Sequence, residues 1–179
     1  MNQREFHVNG MKYTIRHAIK KDAEELSQIR LQIDGETEDL DRERGEANID
    51  TVGFEELIQA DMDNEKNLFL VAESGGSLVG FSRCEGSGLK RFAHKVEFGV
   101  GVLKDYWGYQ IGTNLLKESI DWAQTAGLKK MTLNVLETNE KAIHLYEKLG
   151  FTVEGVLKKD KRLSDGRYYN TVIMGRWSG

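Results

Sequence analysis

The segment Asn139-Glu-Lys-Ala-Ile-His-Leu-Tyr-Glu-Lys-Leu-Gly-Phe151 constrains this chain more than any other. It opens on a residue that can cap a helix, with Glu140 in the first turn where the helix dipole favours negative charge. Ala142, Tyr146 and Leu149 recur at helical spacing and share one face. Gly150 fits the left-handed position that ends a helix, and Phe151 can begin the next strand. A small residue four positions before a tyrosine leaves a groove beside the phenol. Such a groove suits a slender ligand.

Around this segment the pattern alternates between strand and helix. Asn9-Gly10 separates two short alternating runs, the strongest short signal for a hairpin. Asp22 opens a helix with Leu26, Ile29 and Ile33 inward. Residues 34–50 are strongly acidic, holding Glu36, Glu38, Asp39, Asp41, Glu43, Glu46 and Asp50 against Arg42 and Arg44. A second helix is expected over residues 52–63. Strands follow at 67–74, 78–85 and 95–103. A long helix spans 111–126 with Leu115, Leu116, Ser119 and Ala123 inward, and Gly127 stops it. A strand covers 131–136. Two last strands, at 152–157 and 168–176, flank the turn Ser164-Asp165-Gly166. This order implies a single α/β domain.

The 179 residues allow one domain with a real core and make two domains improbable on size. With 39% hydrophobic and 30% charged residues the chain reads as globular. A net charge of -4 gives no general affinity for nucleic acid. No apolar run approaches a membrane span, and Met1-Asn-Gln-Arg-Glu-Phe6 has no signal-peptide pattern, so a cytoplasmic location is expected. Cys84 is the single cysteine, which excludes an intrachain disulfide and a cysteine-based zinc site. It lies in an expected strand and reads as a buried spacer.

Val102-Leu-Lys-Asp-Tyr-Trp-Gly-Tyr-Gln-Ile-Gly-Thr113 joins a strand to a helix. The first amides of a helix lack internal partners, so such a junction can bind an anion. Gly99-Val-Gly101 suggests a dinucleotide-binding GxGxxG, but Lys104 stands at the third glycine and the glycines fall inside a strand. Glycines there mark a bulge or a close approach of backbone.

The segment at 139–151 resembles the acyl-CoA-binding motif of the GNAT superfamily of N-acetyltransferases, Asn-x-x-Ala-x-x-Leu-Tyr-x-x-x-Gly-Phe. Asn139, Ala142, Leu145, Tyr146, Gly150 and Phe151 fill every defined position. The resemblance covers residues 13–177 and implies a mixed α/β fold. That fold has one central sheet of about six to seven strands and about four helices. The hairpin at Asn9-Gly10 would extend it at the N-terminus. The family's phosphate motif, Gln/Arg-x-x-Gly-x-Gly/Ala, falls on Trp107-Gly-Tyr-Gln-Ile-Gly112. Only Gly112 matches; Trp107 and Gln110 depart from it.

The resemblance implies acetyl-CoA as co-substrate, no metal, an amine acceptor and a possible homodimer. It places the cofactor against Val100, Val102, Tyr109, Gln110, Ile111, Gly112, Thr113, Asn134, Asn139, Ala142 and Tyr146. It also implies a bulge at Gly99–Gly101 that presents an amide to the thioester carbonyl. Tyr146 is the candidate acid for the departing thiolate, and Glu97 the leading base, with His94 competing. Lys141 and Lys148 could approach the terminal phosphate of CoA or form a solvated face. Glu36 and Glu38 are candidates for acceptor contact, because the acidic stretch occupies the family's variable acceptor loop and clustered carboxylates attract cationic amines. Several amine acetyltransferases carry an aspartate where this chain has Asn170. The expected activity is acetyl transfer from acetyl-CoA to a primary amine of a small molecule or peptide. The alternative is a non-catalytic acyl-CoA-binding sensor.

Overall fold

A computed structural model describes residues 3–179 of the chain. Strands β1 (Arg4–Val8) and β2 (Met11–His17) form the expected hairpin. Asn9 and Gly10 turn it with φ of 50° and 81°, the backbone that a two-residue hairpin turn requires. Helices α1 (Ala23–Glu36) and α2 (Thr51–Met62) follow, then β3 (Leu68–Ser74), β4 (Ser77–Gly86) and β5 (Lys95–Val102). Helix α3 (Ile111–Thr125), β6 (Lys130–Leu136), α4 (Glu140–Lys148), β7 (Thr152–Arg162) and β8 (Tyr168–Trp177) complete the fold.

One eight-stranded sheet runs in the order β1-β2-β3-β4-β5-β6-β8-β7. The sheet therefore holds more strands than the six to seven expected, because both arms of the hairpin join it, in register from Arg4↔Ile15 to Val8↔Met11. All neighbouring pairs are antiparallel except β5 with β6. A parallel neighbour demands a crossover, which α3 provides.

Helices cover both faces. Leu26, Ile29 and Ile33 of α1 and Phe54 and Ile58 of α2 pack on Phe69 and Val71. On the other face Leu115, Leu116 and Ala123 of α3 pack with Leu70, Ala72, Val96 and Phe98. β3 is consequently buried from Leu68 to Ala72, which explains its unbroken apolar run. Each such large side chain withdrawn from water contributes about 1.5–3 kcal/mol. Asp50 caps α2, accepting from the Gly53 amide at 2.8 Å. Asp22 instead ends a 3-10 turn just before α1, where it accepts from the Ile19 amide at 2.8 Å and pairs with Arg16.

Two expectations change. β7 runs to Arg162 rather than residue 157, with register shifts that let it follow β8. No bulge forms at Gly99–Gly101, because β4 and β5 pair in unbroken register from Gly80↔Val102 to Gly86↔Val96. Packing by itself demands neither glycine. A Cβ on Gly101 would meet Ile33 and Phe81 at 3.4 Å, whereas one on Gly99 would meet open space.

Candidate active site

β5 and β6 pair only at Lys95↔Lys130, Val96↔Met131 and Glu97↔Thr132. Beyond that point β5 stays with β4 as far as Val102, while β6 stays with β8 as far as Leu136. The two strands part, and among the described residues the facing edges of 98–102 and 133–136 have no ladder partner. Unpaired main chain is a ready template for an extended ligand with amide groups. Val100 and Val102 lie along one wall of this opening, partly buried against the α3-side core. Asn134 lies exposed on the other.

β5 then leads into the turn that starts α3. A short 3-10 turn, Lys104–Tyr106, is held by Glu36, whose carboxylate accepts from the Lys104 amide at 2.7 Å. The Trp107 indole donates to the Val102 carbonyl at 2.9 Å. Trp107 thus secures the turn to the strand it leaves. Gly108 and Gln110 adopt φ of 86° and 59° on either side of Tyr109. The Gln110 backbone is therefore left-handed, a conformation that costs a non-glycine residue about 1–2 kcal/mol. The first helical bond runs from the Asn114 amide to the Gln110 carbonyl at 2.8 Å. The amides of Ile111, Gly112 and Thr113 precede it and have no helical acceptor.

Helix α4 borders the opening after β6. Asn139 accepts from the Ala142 amide at 3.2 Å, so its side chain is a helix cap. Ala142, Ile143, Tyr146 and Leu149 pack on the α3-side core. The Tyr146 ring lies 5.9 Å from Phe151. Among the described residues its hydroxyl has no hydrogen-bond partner. Burial, and then the negative charge of Asp39, push its phenol up to about 12. Asp39 belongs to the acidic loop after α1, so the phenol feels charge from the opposite side of the sheet. Lys141 and Lys148 are exposed on the outer face of α4.

Alternation along β5 turns Glu97 and Gly99 away from the α3-side core. Both are exposed. Glu97 sits at the last paired position before the strands part, opposite Glu85 on β4 and Thr132 on β6. Arg83 on the same face is bound to the buried Asp61 at 2.6 Å and to Glu85 at 3.0 Å. Glu38 accepts from the Ser164 amide at 2.8 Å and so ties the acidic loop to the β7–β8 turn. Asn170 binds Glu137, which returns a carboxylate close to the position where the aspartate is missing.

His94 lies at the opposite end of β5 from the opening, against Trp177 at 6.2 Å. Cys84 is fully buried, and burial pushes its thiol up to about 12, which removes it as a nucleophile at neutral pH. Among the described residues no cluster of His, Cys, Asp or Glu could hold a metal ion. No helix among them is long and apolar enough to cross a membrane. Asp39 and Glu85 were hidden in sequence. One was lost in a long acidic run, and the other needed the β4–β5 register to place it.

A sheet that parts beside a helix N-terminus, with a tyrosine-bearing helix after the next strand, defines an acyl-CoA-type transferase fold. Residues 33–151 match the model of the Acetyltransferase (GNAT) family, and the chain belongs to that family. The Spermidine N(1)-acetyltransferase of Escherichia coli K12 is 38% identical over 81 residues, covering 45% of this chain and 43% of that enzyme. The chain spans about half the length of the curated relatives it matches first. A GNAT-family acetyltransferase from Streptococcus pneumoniae superposes with a TM-score of 0.89 at 27% identity, over 93% of this chain and 99% of that one. The yncA protein of Salmonella typhimurium, whose structure holds its cofactor acetyl-CoA, superposes with a TM-score of 0.80 at 25% identity. That match covers 92% of this chain and 93% of that one.

Proposed function

We propose that this chain transfers an acetyl group from acetyl-CoA to a primary amine of a small cationic acceptor, by direct attack on the thioester. The observation that carries this reading is the parting of β5 and β6 after Glu97 and Thr132, with β5 continuing into the free amides of α3. The diphosphate lies on the amides of Ile111, Gly112 and Thr113, presented by the turn at Tyr109 and Gln110. The pantetheine arm follows Val100 and Val102, with Asn134, Asn139 and Ala142 on the facing wall.

An ammonium has no lone pair, so it must first lose a proton, which Glu97 takes directly or through water. The amine nitrogen then bonds to the carbonyl carbon and the carbon–sulfur bond breaks. The second proton passes from the nitrogen to solvent water, and the sulfur leaves as thiolate. The Tyr146 hydroxyl donates to that sulfur. A phenol at about 12 facing a thiol of about 8.5 keeps most of its proton. Tyr146 therefore stabilises the leaving group by hydrogen bonding, and solvent completes the thiol.

We assign Glu97, Glu85 with its partner Arg83, Glu36 at the end of α1, and Glu38 and Asp39 of the acidic loop to the acceptor side, where carboxylates outnumber the one arginine. Such a field favours an acceptor with several positive charges over an anionic or zwitterionic one. The spermidine acetyltransferase named above is a relative with such an acceptor. The test is release of free thiol from acetyl-CoA with spermidine, a neutral amino-acid amide, a free amino acid and a peptide α-amine. Spermidine is expected to exceed the free amino acid by about tenfold or more in kcat/KM. A preference for the free amino acid would overturn the acceptor class. CoA binding without thiol release from any amine would favour a sensor.

A further inference from the structure

The N-terminal hairpin touches the turn before α3 through a buried polar relay. Asn114, 7% exposed on the first turn of α3, donates its side-chain amide to the Tyr13 hydroxyl at 2.6 Å. An asparagine NH₂ can only donate, so the phenol proton is free to go elsewhere. It goes to the Tyr109 carbonyl at 3.1 Å. Tyr13 is itself 1% exposed, with its ring stacked on Phe6 at 5.3 Å. Burial raises its phenol above the ordinary range, so the donor keeps its proton.

The bonded carbonyl belongs to the residue between the two left-handed positions of the turn, Gly108 and Gln110. A strained non-glycine conformation persists only where its surroundings over-determine it. Asn9 adds a bond from its side chain to the Gly108 carbonyl at 3.3 Å, and Arg4 ties β1 to Glu118 of α3 at 2.6 Å. The hairpin therefore contacts both the turn that leads into the amides of Ile111, Gly112 and Thr113 and the helix that follows them.

We infer that Tyr13, held by Asn114, is a positioning residue for the diphosphate of the co-substrate: its hydroxyl locks the Tyr109 carbonyl and so aims the α3 amides. This rests on the diphosphate site proposed above. It concerns Tyr13 on β2 and Asn114 on α3, both outside the motif at 139–151.

Amide chemical-shift titration of the full chain measures the dissociation constants of CoA and, separately, of pantetheine, which keeps the thiol arm and lacks the diphosphate. Tyr13→Phe keeps the buried ring and removes only the relay. CoA should then bind about fivefold to tenfold more weakly, the worth of one hydrogen bond, while pantetheine changes by less than about twofold. An unchanged CoA constant, or parallel weakening of both ligands, would overturn the inference. Should Tyr13→Phe fail to fold, Asn114→Ser must show the same selective loss, and its absence overturns the inference equally. If the unsubstituted chain binds CoA no better than pantetheine, the diphosphate site itself is wrong, an outcome separate from the failure of Tyr13 alone.

Discussion

Tyr146 combines a half-buried ring with a hydroxyl that has no partner among the described residues, beside a carboxylate that opposes its ionisation. In the proposed mechanism, removing that hydroxyl takes away a donor needed only as charge develops on sulfur. Tyr146→Phe should lower kcat by about 10²-fold, the low end for such groups, and change CoA affinity by less than about twofold. Steady-state rates with calorimetry of CoA binding check this split. The phenol also makes a pH prediction. From the ordinary value of 10.0 up to about 12 the unfolded chain releases this proton while the folded chain holds it. Stability is therefore lost as pH rises through that window. An ultraviolet difference titration of the protein against Tyr146→Phe should place this tyrosinate near pH 12, after the exposed tyrosines have ionised. Glu97→Gln should slow turnover at neutral pH, with partial recovery in alkali as the free amine becomes abundant. A defect equal at every pH would remove Glu97 as base.

At the scale of elements, the join between β5 and α3 carries most of the candidate site, and sequence conveyed only part of it. The helix, its start at Ile111 and its buried face were legible, because Leu115, Leu116, Ser119 and Ala123 recur at helical spacing. The α4 motif was legible for the same reason, with Asn139 capping as its position implied. The parting of β5 from β6 was not visible in residue pattern, since it depends on pairing between strands separated by α3. The extension of β7 was hidden because Lys158-Lys-Asp-Lys-Arg162 has no apolar alternation, and cross-strand bonding to β8 sets its length. Gln110 in place of glycine left two conformations open, and the structure selects the left-handed one. Gln110→Gly relieves that strain but adds freedom to the unfolded chain. The net expectation is a gain of about 0.5–1 kcal/mol in stability, read from urea denaturation. A loss would mean that the side chain contributes more than its backbone costs.

For the whole molecule, one sheet with helices on both faces lets the opening reach both sides, which the proposed function assigns to cofactor and acceptor. Two ties brace the proposed acceptor side. Glu36 joins α1 to the turn after β5, and Asp61 joins α2 to β4 through Arg83. The carboxylate of Asp61 is 2% exposed and also accepts from Asn67 at 2.7 Å, whereas Arg83 keeps 26% exposure. Breaking a buried pair from one side costs about 3–5 kcal/mol, and the partial exposure of Arg83 places Asp61→Ala at about 3 kcal/mol or below. Thermal unfolding checks it. The overall α/β order followed from alternating strand and helix patterns, and the family from the 139–151 motif. The neighbours of Glu97 were poorly legible because Glu85 on β4 and Thr132 on β6 are brought beside it only by strand register. The most direct test of the whole account is an amide chemical-shift map of the protein on addition of CoA. The largest changes should fall on residues 98–102 and 109–113, with a second group at 134–146. Changes concentrated on β7, or none at millimolar CoA, would contradict it.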